Sequence, residues 1–118
     1  MIWLFENCLF CKIVREELDT DIIYENKNII AFRDINPQAP VHILLIPKKH
    51  FSTLNDLTSN DIELAGDLIC SASRLAKKEG IAEQGYRTGF NCNDWGGQTV
   101  YHIHLHLLGG RKFGWPPG

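Results

Sequence analysis

Apolar and polar residues alternate with two different periods along this chain, and the change of period marks its elements. Leu9, Phe10, Ile13 and Val14 recur at helical spacing, which predicts a short helix within residues 8–17. Ile22–Glu25 and Asn28–Asp34 read as two strands around a tight turn at Asn26-Lys27. Two prolines make Asn36–Pro40 a loop, and His42–Pro47 reads as an apolar strand ending at Pro47. Ile62, Ala65, Leu68, Ile69, Ala72, Leu75 and Ala76 follow the 3.6-residue period of a long helix. Asn60 is its expected cap, with Glu63 three residues on; Lys77, Lys78 and Gly80 suit its C-terminal end, and Cys70 falls on the expected core face. Tyr86–Cys92 and Val100–Leu108 read as strands on either side of a loop over residues 93–98. About five strands and one or two helices joined by short links imply an α+β fold with an antiparallel sheet.

Within the last strand, His102, His104 and His106 occupy every second position. An extended backbone sends alternate side chains to one face, so the three imidazoles are expected to share a surface. Three groups that titrate near neutrality on one face suggest a chemical site, against the alternative of a half-buried strand with a polar face.

The 118 residues, 44% of them hydrophobic, fit a single domain spanning 1–118 with one proper core. A formal net charge of −2 provides no broad cationic footprint for nucleic acid or an anionic membrane. Met1–Phe5 is apolar but brief and lacks a basic flank, so it does not read as a signal peptide, and no apolar run is long enough to span a bilayer. With no export signal, the four cysteines are expected to be reduced and the protein cytoplasmic; Cys92 has no assigned role.

Two chemistries are open to the histidine row. The first is metal binding. Cys8-x-x-Cys11 offers two soft ligands, and His50 and His102 are the candidates to complete a four-ligand site. His102 to His106 would span about 13 Å along a strand, too far for one ion to hold all three without a sharp bend. The second is covalent catalysis: a neutral imidazole attacks phosphorus well, and His104 has a histidine on either side. Gly96, Gly97, Gln98 and Thr99 before the strand could cradle a phosphate through backbone N–H groups, an amide and a hydroxyl.

Tyr101–Leu108 has the His-x-His-x-His-x-x pattern, and with Phe32–His42, Ile46–His50, Gly96–Val100 and Trp115-Pro116-Pro117-Gly118 it resembles the histidine triad superfamily over essentially the whole chain. The tail looks like the nucleotide-binding phosphoramidase branch more than the diadenosine polyphosphate hydrolase branch. The resemblance implies a five-stranded antiparallel sheet with one long and one short helix, and a homodimer with a continuous ten-stranded sheet. It implies hydrolysis of purine nucleoside phosphoramidates. His104 would be the nucleophile. His106, Gln98, Thr99 and Asn91 would hold phosphate oxygens, and His42 would complete the imidazole cluster. Asp34 would bind the ribose hydroxyls, and Leu9, Phe10, Ile13, Phe32 and Ile35 would form the base pocket. Trp115 would approach the partner subunit's site. Cys8, Cys11, His50 and His102 would hold a structural zinc, with no metal needed for catalysis. A nucleotide-binding scaffold with incidental turnover, a dinucleoside polyphosphate hydrolase and a metal-dependent hydrolase using His102 and His104 are the alternatives.

Overall fold

The computed structural model describes residues 7–118, so the reading of Met1–Phe5 lies outside the described residues. The chain runs α1 (Leu9–Val14), β1 (Ile22–Glu25), β2 (Ile29–Arg33), β3 (Val41–Pro47), two 3-10 turns (Leu54–Asp56 and Ser59–Asp61), α2 (Ile62–Lys78), β4 (Tyr86–Gly89) and β5 (Leu105–Gly109). The strands form one antiparallel sheet in the order β1-β2-β3-β5-β4. The α+β class and the five-stranded sheet with one long and one short helix are as the sequence implied.

The two faces of the sheet bury different clusters. On one face α2 places Leu68, Ala72, Leu75 and Ala76 against Ile29, Ile43, Leu45, Leu105 and Leu107. Burying each of these larger aliphatic side chains contributes about 1.5–3 kcal/mol. On the other face α1 packs Phe10 and Ile13 onto Ile30, Phe32, Leu44 and Ile46. The pairings Phe32↔Leu44↔His106 and Leu108↔His42 put two histidines on this second face, opposite α2.

Several elements differ from the sequence reading, each for a local reason. α2 starts at Ile62, not at an Asn60 cap. Thr53 with Asp56, and Thr58 with Asp61, form two successive capping boxes, and Asn60 lends only its N–H to Thr58 Oγ1. Cys70 is exposed rather than in the core, as are Ile62 and Ile69, because the sheet takes only the stripe through Leu68, Ala72 and Leu75.

The histidine strand is shorter than its alternation suggested. β5 begins at Leu105, which pairs with Leu45. Further toward Pro47 the ladder stops, since proline has no N–H to donate and its carbonyl accepts from His102 Nε2 at 2.8 Å. Ile103 N–H turns instead to Phe51 O. β4 likewise ends at Gly89, opposite His106, rather than continuing to Cys92.

Candidate active site and metal centre

Because Val100–His104 leaves the sheet, the histidine row divides into two clusters. His102 turns toward α1 and the segment after β3, whereas His106 stays on the sheet beside His42.

The first cluster brings together Cys8, Cys11, His50 and His102, with one donor atom of each lying within 4.8 Å of all the others. Cys8 caps α1 with its sulfur accepting from Cys11 N–H, and Cys11 follows one turn later on the same side. Cys8 Sγ lies 3.3 Å from His102 Nδ1, Cys11 Sγ 3.2 Å from His50 Nδ1 and 3.5 Å from His102 Nδ1, and the two Nδ1 atoms 3.2 Å apart. A zinc tetrahedron with arms of about 2.0 Å to nitrogen and 2.3 Å to sulfur has N···N edges of about 3.3 Å and S···N edges of about 3.5 Å. The outer nitrogens agree with that use. His102 Nε2–H donates to Pro47 O, and His50 Nε2 lies 3.1 Å from Ser52 Oγ, so both Nδ1 lone pairs can face inward. Burial, reinforced by Cys8, pushes the Cys11 thiol up to about 12. Coordination to a dication reverses that preference and deprotonates it.

The second cluster is His42, His104 and His106 with Asp34. Its hydrogen bonds fix the tautomers. His104 Nδ1–H donates to its neighbour's carbonyl, His102 O, at 2.8 Å. That leaves the Nε2 lone pair for the cavity that His104 lines. Gln38 N–H donates to His42 Nδ1 at 3.0 Å, so a neutral His42 carries its proton on Nε2. His42 Nε2–H then donates to His106 Nδ1 at 2.9 Å, and the proton of His106 sits on Nε2. Asp34 Oδ2 lies 3.5 Å from His42 Nε2. Burial lowers the pKa of His104, opposed in part by the His102 carbonyl and Asp34; burial, then His104 and His42, lowers His106 to about 4. Burial also lowers His42. All three rings are therefore neutral at pH 7.

Asp34, His42 and His106 also lie close enough to share an ion. The Gln38 N–H disfavours this, because it holds the lone pair on Nδ1 and the proton on the nitrogen that would have to ligate.

A cavity of about 740 Å³ opens beside the second cluster. Phe10, Ile13, Phe32 and Leu44 form an apolar wall, and Phe10 meets the His104 ring edge-on with centroids 5.0 Å apart. Leu9, Asp34, Ile35, Asn91 and Thr99 also line it, Ile35 at the rim with 98% of its surface exposed. One of the residues expected at the site stands apart from it. The Gln98 side chain is buried and committed to its own loop, with Nε2 donating to Ser52 O and Val100 O and Oε1 accepting from Asn93 N–H. Trp115, expected at the partner subunit's site, is 83% exposed and lines neither cavity of its own chain. Gly97 takes φ +79° at the cavity edge, and a side chain at Gly96 would collide with the Cys92 carbonyl, so both glycines are required by the turn.

Comparison with known proteins shows the family. The family model described as HIT domain matches residues 15–113. The chain belongs to the HIT family. It is 50% identical to the purine nucleoside phosphoramidase of Escherichia coli over 109 residues, 92% of each chain. It is 48% identical over 112 residues to a 14 kDa zinc-binding protein of Zea mays, covering 93% of this chain and 87% of that one. Among solved structures, a HIT family hydrolase from Legionella pneumophila superposes with a TM-score of 0.93 at 58% identity, over 95% of this chain and all of the other.

The residues that sequence reading passed over act through the backbone. The Gln38 N–H and the His102 and Pro47 carbonyls set the histidine tautomers, and no side-chain pattern encodes such partners. Ser52 could have been found from its place two residues after His50.

Proposed function

We propose that this HIT family member is a hydrolase acting on the P–N bond of purine nucleoside 5′-phosphoramidates, with His104 as nucleophile. The observation that carries the proposal is the His104 tautomer: Nδ1–H is held by the His102 carbonyl, which leaves the lone pair on Nε2 of a ring that lines the cavity. The apolar wall of Phe10, Ile13, Phe32 and Leu44 suits a purine, and Asp34 at the same cavity suits ribose hydroxyls. Relatives named purine nucleoside phosphoramidase support the substrate class.

In this reading the entering phosphate anion raises the proton affinity of the His42–His106 pair, and Asp34 stabilises the resulting cation. His104 Nε2 bonds to phosphorus as the P–N bond breaks, and His106 gives the added proton to the departing nitrogen. Water then cleaves the phosphorus–His104 bond and returns a proton to the pair. Asn91, Thr99 and the loop N–H groups hold the phosphate oxygens. Gln98 contributes by shaping that loop.

Zinc fits the Cys8, Cys11, His50 and His102 cluster, and we assign it a structural role. A closed four-ligand site holds α1 to the segments around His50 and His102 and leaves no position for substrate. The outer edge of β4 and the exposed Ile62 and Ile69 of α2 support a homodimer with a continuous ten-stranded sheet. No helix among the described residues is long and apolar enough to cross a membrane.

The test is to quench turnover of an AMP phosphoramidate in acid-free denaturant, digest the protein and map the nucleotide adduct. The expected adduct lies on the peptide containing His104. A label on a different residue, or steady turnover by His104→Ala, overturns the assignment.

A further inference from the structure

We propose that a second cavity, on the far side of His106, is the leaving-group subsite, and that Arg87 and Arg111 make it select leaving groups ending in an anion, a carboxylate or a phosphate. The inference rests on the phosphoramidase reading above and extends it to the half of the substrate that departs.

The cavity is about 430 Å³ and includes Gln38, His42, Arg87, His106, Arg111 and Phe113 in its wall. It shares Gln38, His42, Asn91 and His106 with the larger cavity, whereas His104 and the apolar wall belong to the larger one alone. Displacement at phosphorus runs roughly in line, so the bond that breaks points away from the attacking Nε2. With the nucleoside against Phe10 and Phe32, a group leaving opposite His104 passes His106 and enters the second cavity.

Strand register puts a cation there. Arg87 pairs with Leu108, and Leu108 pairs with His42, so Arg87 and His42 stand on one rung and one face of the sheet, two strands apart. Arg111 comes from the turn after β5. The two guanidiniums lie over the Phe113 ring at 5.2 and 4.3 Å from its centroid. Their polar contacts are to backbone carbonyls: Arg87 Nη2 to Gly114 O, Arg111 Nε to Gln38 O and Arg111 Nη1 to Lys112 O. Among the described residues no carboxylate ion-pairs with either arginine. In a chain of net charge −2, two cations without an acidic partner beside the reacting histidines form a local anion site. Arg111 also holds the carbonyl of Gln38, whose N–H sets the His42 tautomer, so occupancy of the subsite bears on the proton-donating pair.

The experiment compares three AMP phosphoramidates that differ only at the far end of the amine: the carboxylate of β-alanine, its neutral methylamide, and an aminoalkyl phosphate. Wild-type protein is expected to favour the two anionic substrates over the methylamide by about tenfold in kcat/KM, the worth of one charge-assisted hydrogen bond. The carboxylate and phosphate arms distinguish the two sources of the anion. In Arg87→Gln/Arg111→Gln the preference is expected to fall to about unity, with Arg111→Lys intermediate because it keeps the charge but not the fork. Melting temperatures of the variants identify any loss due to unfolding, and the wild-type ratio stands without them. A wild-type ratio of one, or a preference for the methylamide, overturns the subsite while leaving the phosphoramidase reading intact. Failure to hydrolyse all three substrates overturns the phosphoramidase reading instead.

Discussion

His102 and His104 are two residues apart on one stretch of backbone, yet one joins the Cys/His cluster proposed to hold zinc and the other the imidazole cluster proposed to react. The His102 ring donates Nε2–H to Pro47 O and turns Nδ1 toward two sulfurs and a second imidazole. The His104 ring donates Nδ1–H to His102 O, keeps its lone pair on Nε2 and lines the cavity. The rings are chemically identical, and burial lowers the pKa of both. What differs is which nitrogen a backbone carbonyl holds and what lies in front of the other. The same rule separates His50 from His42. His50 has a hydroxyl behind its outer nitrogen, whereas a backbone N–H from Gln38 turns His42 into a proton donor to His106. Tautomer control by the group behind the ring divides one histidine-rich segment into the proposed structural centre and the proposed reactive one.

Placing one substitution at both positions tests this division most strongly. His104→Asn is expected to lower turnover by at least about a thousandfold, as loss of a nucleophile does. Its melting temperature and nucleotide binding should stay near wild type. His102→Asn should instead lose bound zinc and destabilise the fold by about 3 kcal/mol or more, the scale for breaking a buried polar cluster. Thermal melts with metal analysis, beside single-turnover kinetics, would show a merged role if the two variants behaved alike.

Removing the metal sharpens the contrast next. A strong chelator should lower the melting temperature by several degrees, and Cys11→Ser should reproduce the shift without chelator. Below the new transition kcat should fall less than about threefold, since the proposed zinc touches no reacting atom. Loss of activity at full secondary structure by circular dichroism would place the metal in the reaction.

The pH dependence gives a smaller effect of defined sign. Burial holds His104 below its ordinary value of 6.5 and His106 at about 4, so in the free enzyme both rings are neutral at pH 7 and His106 stays so well into mild acid. The acid limb of kcat/KM should therefore lie below pH 6.5. Stability has the same sign. The unfolded chain takes up protons near pH 6.5 that the folded chain refuses, so this contribution is complete above pH 6.5 and is lost as the pH falls toward 4. An acid limb above pH 6.5 would mean that the rings are more polar than this geometry makes them.

The smallest expected change lies away from both clusters. Cys70 is exposed on α2, and Cys70→Ser should alter stability by no more than about 0.5 kcal/mol in a urea melt. A cost of 2 kcal/mol or more would restore Cys70 to a packed environment.

Much of this was legible in the chain. The period-2 alternation of His102, His104 and His106, the Cys8-x-x-Cys11 pair and the apolar period of α2 are local patterns, and local geometry turns them directly into faces and ligand pairs. The less legible features have non-local causes. The histidine strand shortens because Pro47, far away in sequence, cannot continue the ladder with Ile103. Cys70 and Ile69 follow the helical period but fall outside the stripe that the sheet covers, and the width of that stripe is set by the strands opposite. Gln98 has the composition of a phosphate ligand, but its amide is committed to Ser52 and Val100.

The sequence by itself determined that imidazoles would line up beside a glycine-rich turn and that two thiols would sit one helical turn apart, because backbone periodicity acts over a few residues. Only the tertiary structure decided which imidazoles gather the thiols and which face the cavity. That choice depends on carbonyls and N–H groups delivered by other segments, and a backbone dipole has no side-chain letter to announce where it will point.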